Sequence, residues 1–143
     1  FATHYLPYIL ASFAKHHRHV QLHVTCDLTL NLMKAFQKRD LDIILVKRDP
    51  ESVKGGTKVW REPLVWVAAE YYQMKEPIPL VLSPQPCIYR ARALGALDRM
   101  RKPWQIAYTS PSLAGTIAAV KAGLGVTVLP AIISNPDPVS TKG

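Results

Sequence analysis

The sequence predicts an α/β fold with mainly parallel sheet, and three observations carry that reading. Short apolar runs alternate with stretches of helical spacing along nearly the whole chain. Two of the runs, "LDIILV" (41–46) and "LVWVAA" (64–69), are almost continuously apolar, as strands covered on both faces are. The segment "TSPSLAGTIAAVKAGLGVTVLP" (109–130) joins a helix start, a helix, a glycine stop and a buried strand with almost no loop between them.

In chain order, residues 4–16 place Leu6, Ile9, Leu10 and Phe13 on one helical face. Pro7 falls in the first turn, where a missing N–H costs nothing. Over 20–26, Val20, Leu22 and Val24 alternate with Gln21, His23 and Thr25, the pattern of a strand with one buried face. Residues 29–39 form an amphipathic helix carrying Leu32, Met33 and Phe36, with a basic end that complements the helix dipole. "LDIILV" is the next strand, and the charged segment 47–58, with Pro50 and Gly55-Gly56, is a crossover loop. Strands follow at 64–69 and 79–84. A helix over 88–102 sets Ile88, Ala91, Leu94 and Leu97 on one face, and 104–110 is a further strand. Ser112 caps a helix through Lys121, Gly123 gives its left-handed stop, and Pro130 ends the strand after it. The tail 135–143 has no periodicity and reads as loop. The break near 47–58 divides the chain into a partial first lobe (1–46), a crossover or hinge (47–61) and a second lobe (62–131), with 132–143 a tail or a return toward the first lobe.

Composition sets outer bounds. The chain has 143 residues, 48% of them hydrophobic, enough for a packed core. A net charge of +8 permits an anionic partner but speaks to steering more than to a site. The longest apolar runs are too short to span a bilayer, so no membrane partner is expected. Cys26 and Cys87 supply no disulfide framework and suit a reducing cytoplasm.

The order and spacing of "YLPYILASFAKHHRHVQLHVTCDLTLNLMKAFQKRDLDIILV" and "PCIYRARALGALDRMRKPWQIAYTSPSLAGTIAAVKAGLGVTVLP" resemble the effector-binding domain of LysR-type transcriptional regulators. "PCIYR" with "AYTSPS" resembles the flagellar and exoenzyme repressors within that family. The resemblance implies a type 2 periplasmic-binding-protein fold: two α/β lobes, a hinge, and a small-molecule site in the interlobe cleft. It also implies a homodimer, a tetramer in the full regulator, and DNA contact only through a winged helix-turn-helix that this sequence lacks. The first strand of lobe one and the C-terminal return segment have no counterpart either, so the domain reads as truncated at both ends. Arg39-Asp40 stands where the family usually has Gly and an acidic residue, which puts the turn there in question.

In an open parallel sheet, ligands bind at the carboxyl ends of strands, where helix N-termini offer unpaired N–H groups and partial positive charge. Two helices begin with hydroxyl residues directly after strands, one at Thr29 and one in "TSPS". Thr29, Thr109, Ser110 and Ser112 are therefore candidates for an acidic effector, against the plainer reading of Thr29 and Ser112 as N-caps. Pro86, Cys87 and Ile88 fall where the resemblance puts cleft-wall residues. Arg90 either pairs with a carboxylate or solvates a helix start. The cluster His16, His17, His19 and His23 fits no zinc spacing, and "GLG" (123–125) lies between helix and strand, the wrong order for a dinucleotide fingerprint. No acid–base pair or activated nucleophile stands out. The expectation is a cytoplasmic, non-catalytic, cofactor-free ligand-sensing domain. The alternatives are an extracytoplasmic solute-binding protein or an enzyme on the same fold.

Overall fold

The computed structural model describes residues 5–47 and 55–134. The chain divides into two compact units, residues 1–47 and 48–143. The expected loop at 48–54 and tail at 135–143 lie outside the described residues.

The first unit holds two helices, α1 (Leu6–His16) and α2 (Thr29–Gln37). Pro7 sits in the first turn of α1, where the first N–H groups of a helix have no partner. The helix start at 29 is built differently from the sequence expectation. Leu28 is the N-cap and makes no side-chain cap bond, so Thr29 is the first helical residue. Asp27 closes the start instead, its Oδ1 accepting Leu28 N–H at 2.6 Å and Asn31 Nδ2–H at 2.9 Å.

The turn at Arg39-Asp40 forms without glycine. Arg39 takes a left-handed φ of 64°. Its N–H and that of Asp40 donate to the carbonyls of Phe36 and Ala35, both at 3.0 Å. These are the two bonds of a Schellman helix stop.

The alternating segment 20–26 forms no strand, nor does 41–46. Val20, Leu22 and Val24, the expected buried face, are exposed. A period-2 pattern becomes a strand only where another backbone lies beside it, and among the described residues none pairs with either segment. Neither α1 nor α2 carries a buried residue.

The second unit is an α/β layer structure. Its strands are β1 (Leu64–Val67), β2 (Ile78–Leu82), β3 (Trp104–Thr109) and β4 (Thr127–Pro130). Helix α3 (Ile88–Arg99) joins β2 to β3, α4 (Leu113–Lys121) joins β3 to β4, and the short α5 (Ala131–Ser134) follows β4. β2 runs parallel to β3, with Leu82 opposite Thr109, and meets Val126 in parallel on its other side. β1 pairs antiparallel with β4, Leu64 opposite Pro130.

β2 is the centre of this arrangement, and all five of its residues are buried. Its side chains alternate between two cores, as the pleat requires. Ile78, Leu80 and Leu82 pack with Ala93 and Leu97 of α3 and with Val126 and Val128. Val81 joins Ala119 and Val120 of α4. One helix therefore covers each side of β2. That explains why "PLVL" reads as continuously apolar rather than alternating. β3, by contrast, is exposed from its second residue onward.

Both crossover helices end in the same stop. After α4, Gly123 (φ 78°) and Leu124 donate to Val120 and Ala119. After α3, Arg101 (φ 52°) and Lys102 donate to Asp98 and Leu97.

Candidate functional site

Because β2 and β3 are parallel neighbours, their carboxyl ends lie side by side, and the helix following each strand starts at the same edge. Ser110 N–H donates to Leu82 O at 3.1 Å, which ties the two strand ends directly. The structure thus brings Pro86, Cys87 and Ile88, at the start of α3, to the rim that holds Thr109, Ser110 and Ser112, at the start of α4.

At α4 the hydroxyls are ordered by one another. Ser112 is the N-cap, and its Oγ accepts the Gly115 N–H at 2.9 Å. Ser110 is buried and its Oγ makes two 3.2 Å bonds to Ser112, donating to the carbonyl and accepting from the N–H. Thr116, also buried, donates its Oγ1–H to the Ser112 carbonyl at 3.1 Å. The capping reading of Ser112 therefore holds. What remains at this helix start is the pair of N–H groups on Leu113 and Ala114, which helix geometry leaves without intrahelical acceptors. Thr109 is exposed at the strand end.

At α3, Cys87 is the N-cap in an extended conformation and makes no side-chain cap bond. The rim here carries a cation that sequence spacing alone left undecided. Arg90 Nη1–H donates to the Ser83 carbonyl at 3.1 Å, drawing the guanidinium back over the end of β2. Its Nε is buried without a hydrogen-bond partner. No carboxylate lies in the first turn of either α3 or α4, although the Glu62 carboxylate is close enough to the start of α3 to act on Tyr89. Tyr89 beside Arg90 keeps its phenol protonated well into the alkaline range. Burial, followed by the charge of Glu62, pushes its pKa up to about 12.

Thr29 belongs to the first unit. Its helix start faces a different electrostatic setting, since Asp27 already places a negative charge there. The bonds from Asn31 and then Leu28 hold that carboxyl below the usual carboxylate range. Cys26 and Cys87 are both free thiols. Among the described residues, no group of His, Cys, Asp and Glu is placed to hold a metal, and no helix is long and apolar enough to cross a membrane.

The fold is shared with regulatory domains of known structure. The regulatory domain of CcmR from Synechocystis PCC6803, solved in complex with 2-PG, superposes with a TM-score of 0.79 at 16% identity. That match covers 96% of this chain and 72% of the other. HinK, a LysR family transcriptional regulator from Pseudomonas aeruginosa, superposes with a TM-score of 0.74 at 19% identity, covering 97% of this chain and 50% of that one. Residues 1–140 match the LysR substrate binding domain. The chain belongs to that family. Among curated relatives it is 31% identical over 131 residues to the HTH-type transcriptional regulator DgdR of Burkholderia cepacia, covering 90% of this chain. It is 28% identical over 134 residues to the HTH-type transcriptional regulator PecT of Dickeya dadantii (strain 3937), covering 92% of this chain. The chain spans 44% and 42% of those two relatives, less than half of each.

Proposed function

We propose that this chain is the ligand-sensing part of a bacterial LysR-type transcription regulator, and that it binds a small anionic effector at the strand-end rim of its second unit. One observation carries the reading: the helix starts of α3 and α4, neither with an acidic residue in its first turn, meet at the ends of paired strands, with Arg90 drawn over the same edge. Each helix end contributes roughly half a positive charge, and Arg90 a whole one. A carboxylate or phosphate would take the Leu113 and Ala114 amides, with Thr109 and Ser110 beside it and Pro86, Cys87 and Ile88 forming the apolar wall. Thr29, at the start of α2 in the first unit, stands as a separate candidate contact, with the Asp27 charge next to it favouring a neutral or donor group.

The role is binding without catalysis or a cofactor, carried out in the cytoplasm where the regulated DNA lies. DNA contact belongs to a winged helix-turn-helix elsewhere in the whole regulator. The effector acts by preferring one conformation of the domain, and it shifts the equilibrium only by its difference in affinity between the two states. The signal passes through a homodimer, which assembles as a tetramer in the full regulator. Two exposed features support self-association. α1 presents Tyr8, Ile9 and Phe13 to solvent, and among the described residues no strand pairs with the outer edge of β3, which has no charged residue or proline to blunt it.

A thermal-shift screen against small carboxylates, phosphates and neutral metabolites, with the mass in solution recorded alongside, tests the proposal. A concentration-dependent rise confined to acids and reduced in Arg90→Gln supports it. Equal shifts with neutral compounds, or none with any acid, reject it.

A further inference from the structure

A second feature lies at the opposite end of α4, independent of the effector reading. The turn after β1, closed by Tyr72 N–H donating to Ala69 O at 2.9 Å, and the last turn of α4 enclose an open groove of about 510 Å³. Its lining includes Tyr71, Gln73, Lys75, Lys121 and Gly123. A nine-residue helix is roughly 13 Å long, so this groove is well separated from the rim at Ser112.

Three properties set it apart from ordinary surface. Tyr71 is 89% exposed and Met74 69%, large side chains left in water on one short connection. Lys75 and Lys121 line the groove, and no acidic residue does. Glu76, the nearest acid along the chain to Lys75, is already paired with Lys102 at 2.7 Å, while Glu70, between the lining residues Ala69 and Tyr71, is exposed and outside the lining. The C-terminal carbonyls of α4, which would oppose an anion, are largely taken up by the stop at Gly123 and Leu124. An exposed tyrosine in a groove lined by two lysines, with an exposed methionine on the same connection, forms the kind of surface that protein segments use. A small molecule needs far more enclosure than an open groove gives.

We propose that this groove docks an acidic peptide segment of a partner protein, with an apolar side chain against Tyr71 and carboxylates at Lys75 and Lys121. The test uses the whole chain and a fluorescein-labelled peptide of alternating glutamate and phenylalanine, followed by anisotropy at low salt. Binding that weakens about tenfold or more in Lys75→Glu/Lys121→Glu, and also in Tyr71→Ala, supports docking. The charge-matched Lys34→Glu/Arg99→Glu should bind within about twofold of the parent. No binding overturns the proposal. So does an equal loss in the charge-matched variant, which would mean attraction to the overall positive charge alone. Lysine-dependent binding that ignores Tyr71→Ala and is competed by inorganic phosphate overturns it in favour of a small-anion site.

Discussion

Gly115 and Ser110 occupy adjoining space: a β-carbon added to Gly115 would run into the Ser110 hydroxyl. The glycine lets the first turn of α4 settle onto the end of β3, with the Ser110 side chain bonded between them. Sequence and site meet at this contact.

It makes a substitution that usually helps into one that harms. Gly→Ala in an exposed helix gains on the order of 1 kcal/mol. At this position Gly115→Ala should instead lower stability by about 1–3 kcal/mol, the usual cost of overpacking. In a Ser110→Gly background much of that cost should disappear, leaving the closer fit of the new β-carbon to the Ser112 hydroxyl at 3.0 Å. Chemical denaturation of the four proteins of the cycle measures it.

The Ser112 cap should show the ordinary cost of a lost N-cap. Ser112→Ala removes the acceptor of the Gly115 amide and should destabilise by about 1 kcal/mol. Ser112→Asp keeps the cap but brings a negative charge to the rim. It should hold stability while weakening an anionic effector, which separates the two roles of this residue.

The two arginines with left-handed backbone predict gains. Arg39 (φ 64°) and Arg101 (φ 52°) carry a β-carbon in a conformation that costs a non-glycine residue about 1–2 kcal/mol. Glycine gives part of that back through a freer unfolded chain. Arg39→Gly and Arg101→Gly should each raise stability by roughly 0.5–1 kcal/mol, seen as a higher melting temperature.

Alkaline pH should destabilise the domain through Tyr89. Below pH 10 the phenol is protonated in both the folded and unfolded states, and nothing changes. Between about 10 and 12 the unfolded phenol loses its proton while the folded one keeps it, so unfolding releases a proton and stability falls as pH rises. Tyr89→Phe should flatten that decline. Ultraviolet titration of wild type against the variant should show the highest-titrating phenol gone.

Much of the second unit was legible because its elements satisfy one another locally. "PLVL" is apolar on both faces because α3 and α4 each cover one of them, and "SPSLAG" spells the cap that forms. The first unit was less so. The alternation at Val20, Leu22 and Val24 records a preference for a neighbouring strand, but a sequence pattern does not supply the neighbour. Thr29 looked like a cap because hydroxyls often are, yet Asp27 two residues earlier closes the helix start with two bonds. At the rim, the hydroxyls could be nominated from their place at a helix start after a strand, and Cys87 from the family resemblance. The reach of Arg90 to the Ser83 carbonyl could not, because it spans a loop whose path the sequence does not set.

The central claim is that the rim formed by the ends of β2 and β3 binds an anion. The most direct measurement is isothermal titration with the acid giving the largest thermal shift, set beside its neutral amide, on wild type, Ser110→Ala and Arg90→Gln. The account predicts that the amide binds at least about tenfold more weakly than the acid and that both variants lose a similar factor for the acid alone. Equal affinities for acid and amide, or an acid affinity untouched by either variant, would contradict it.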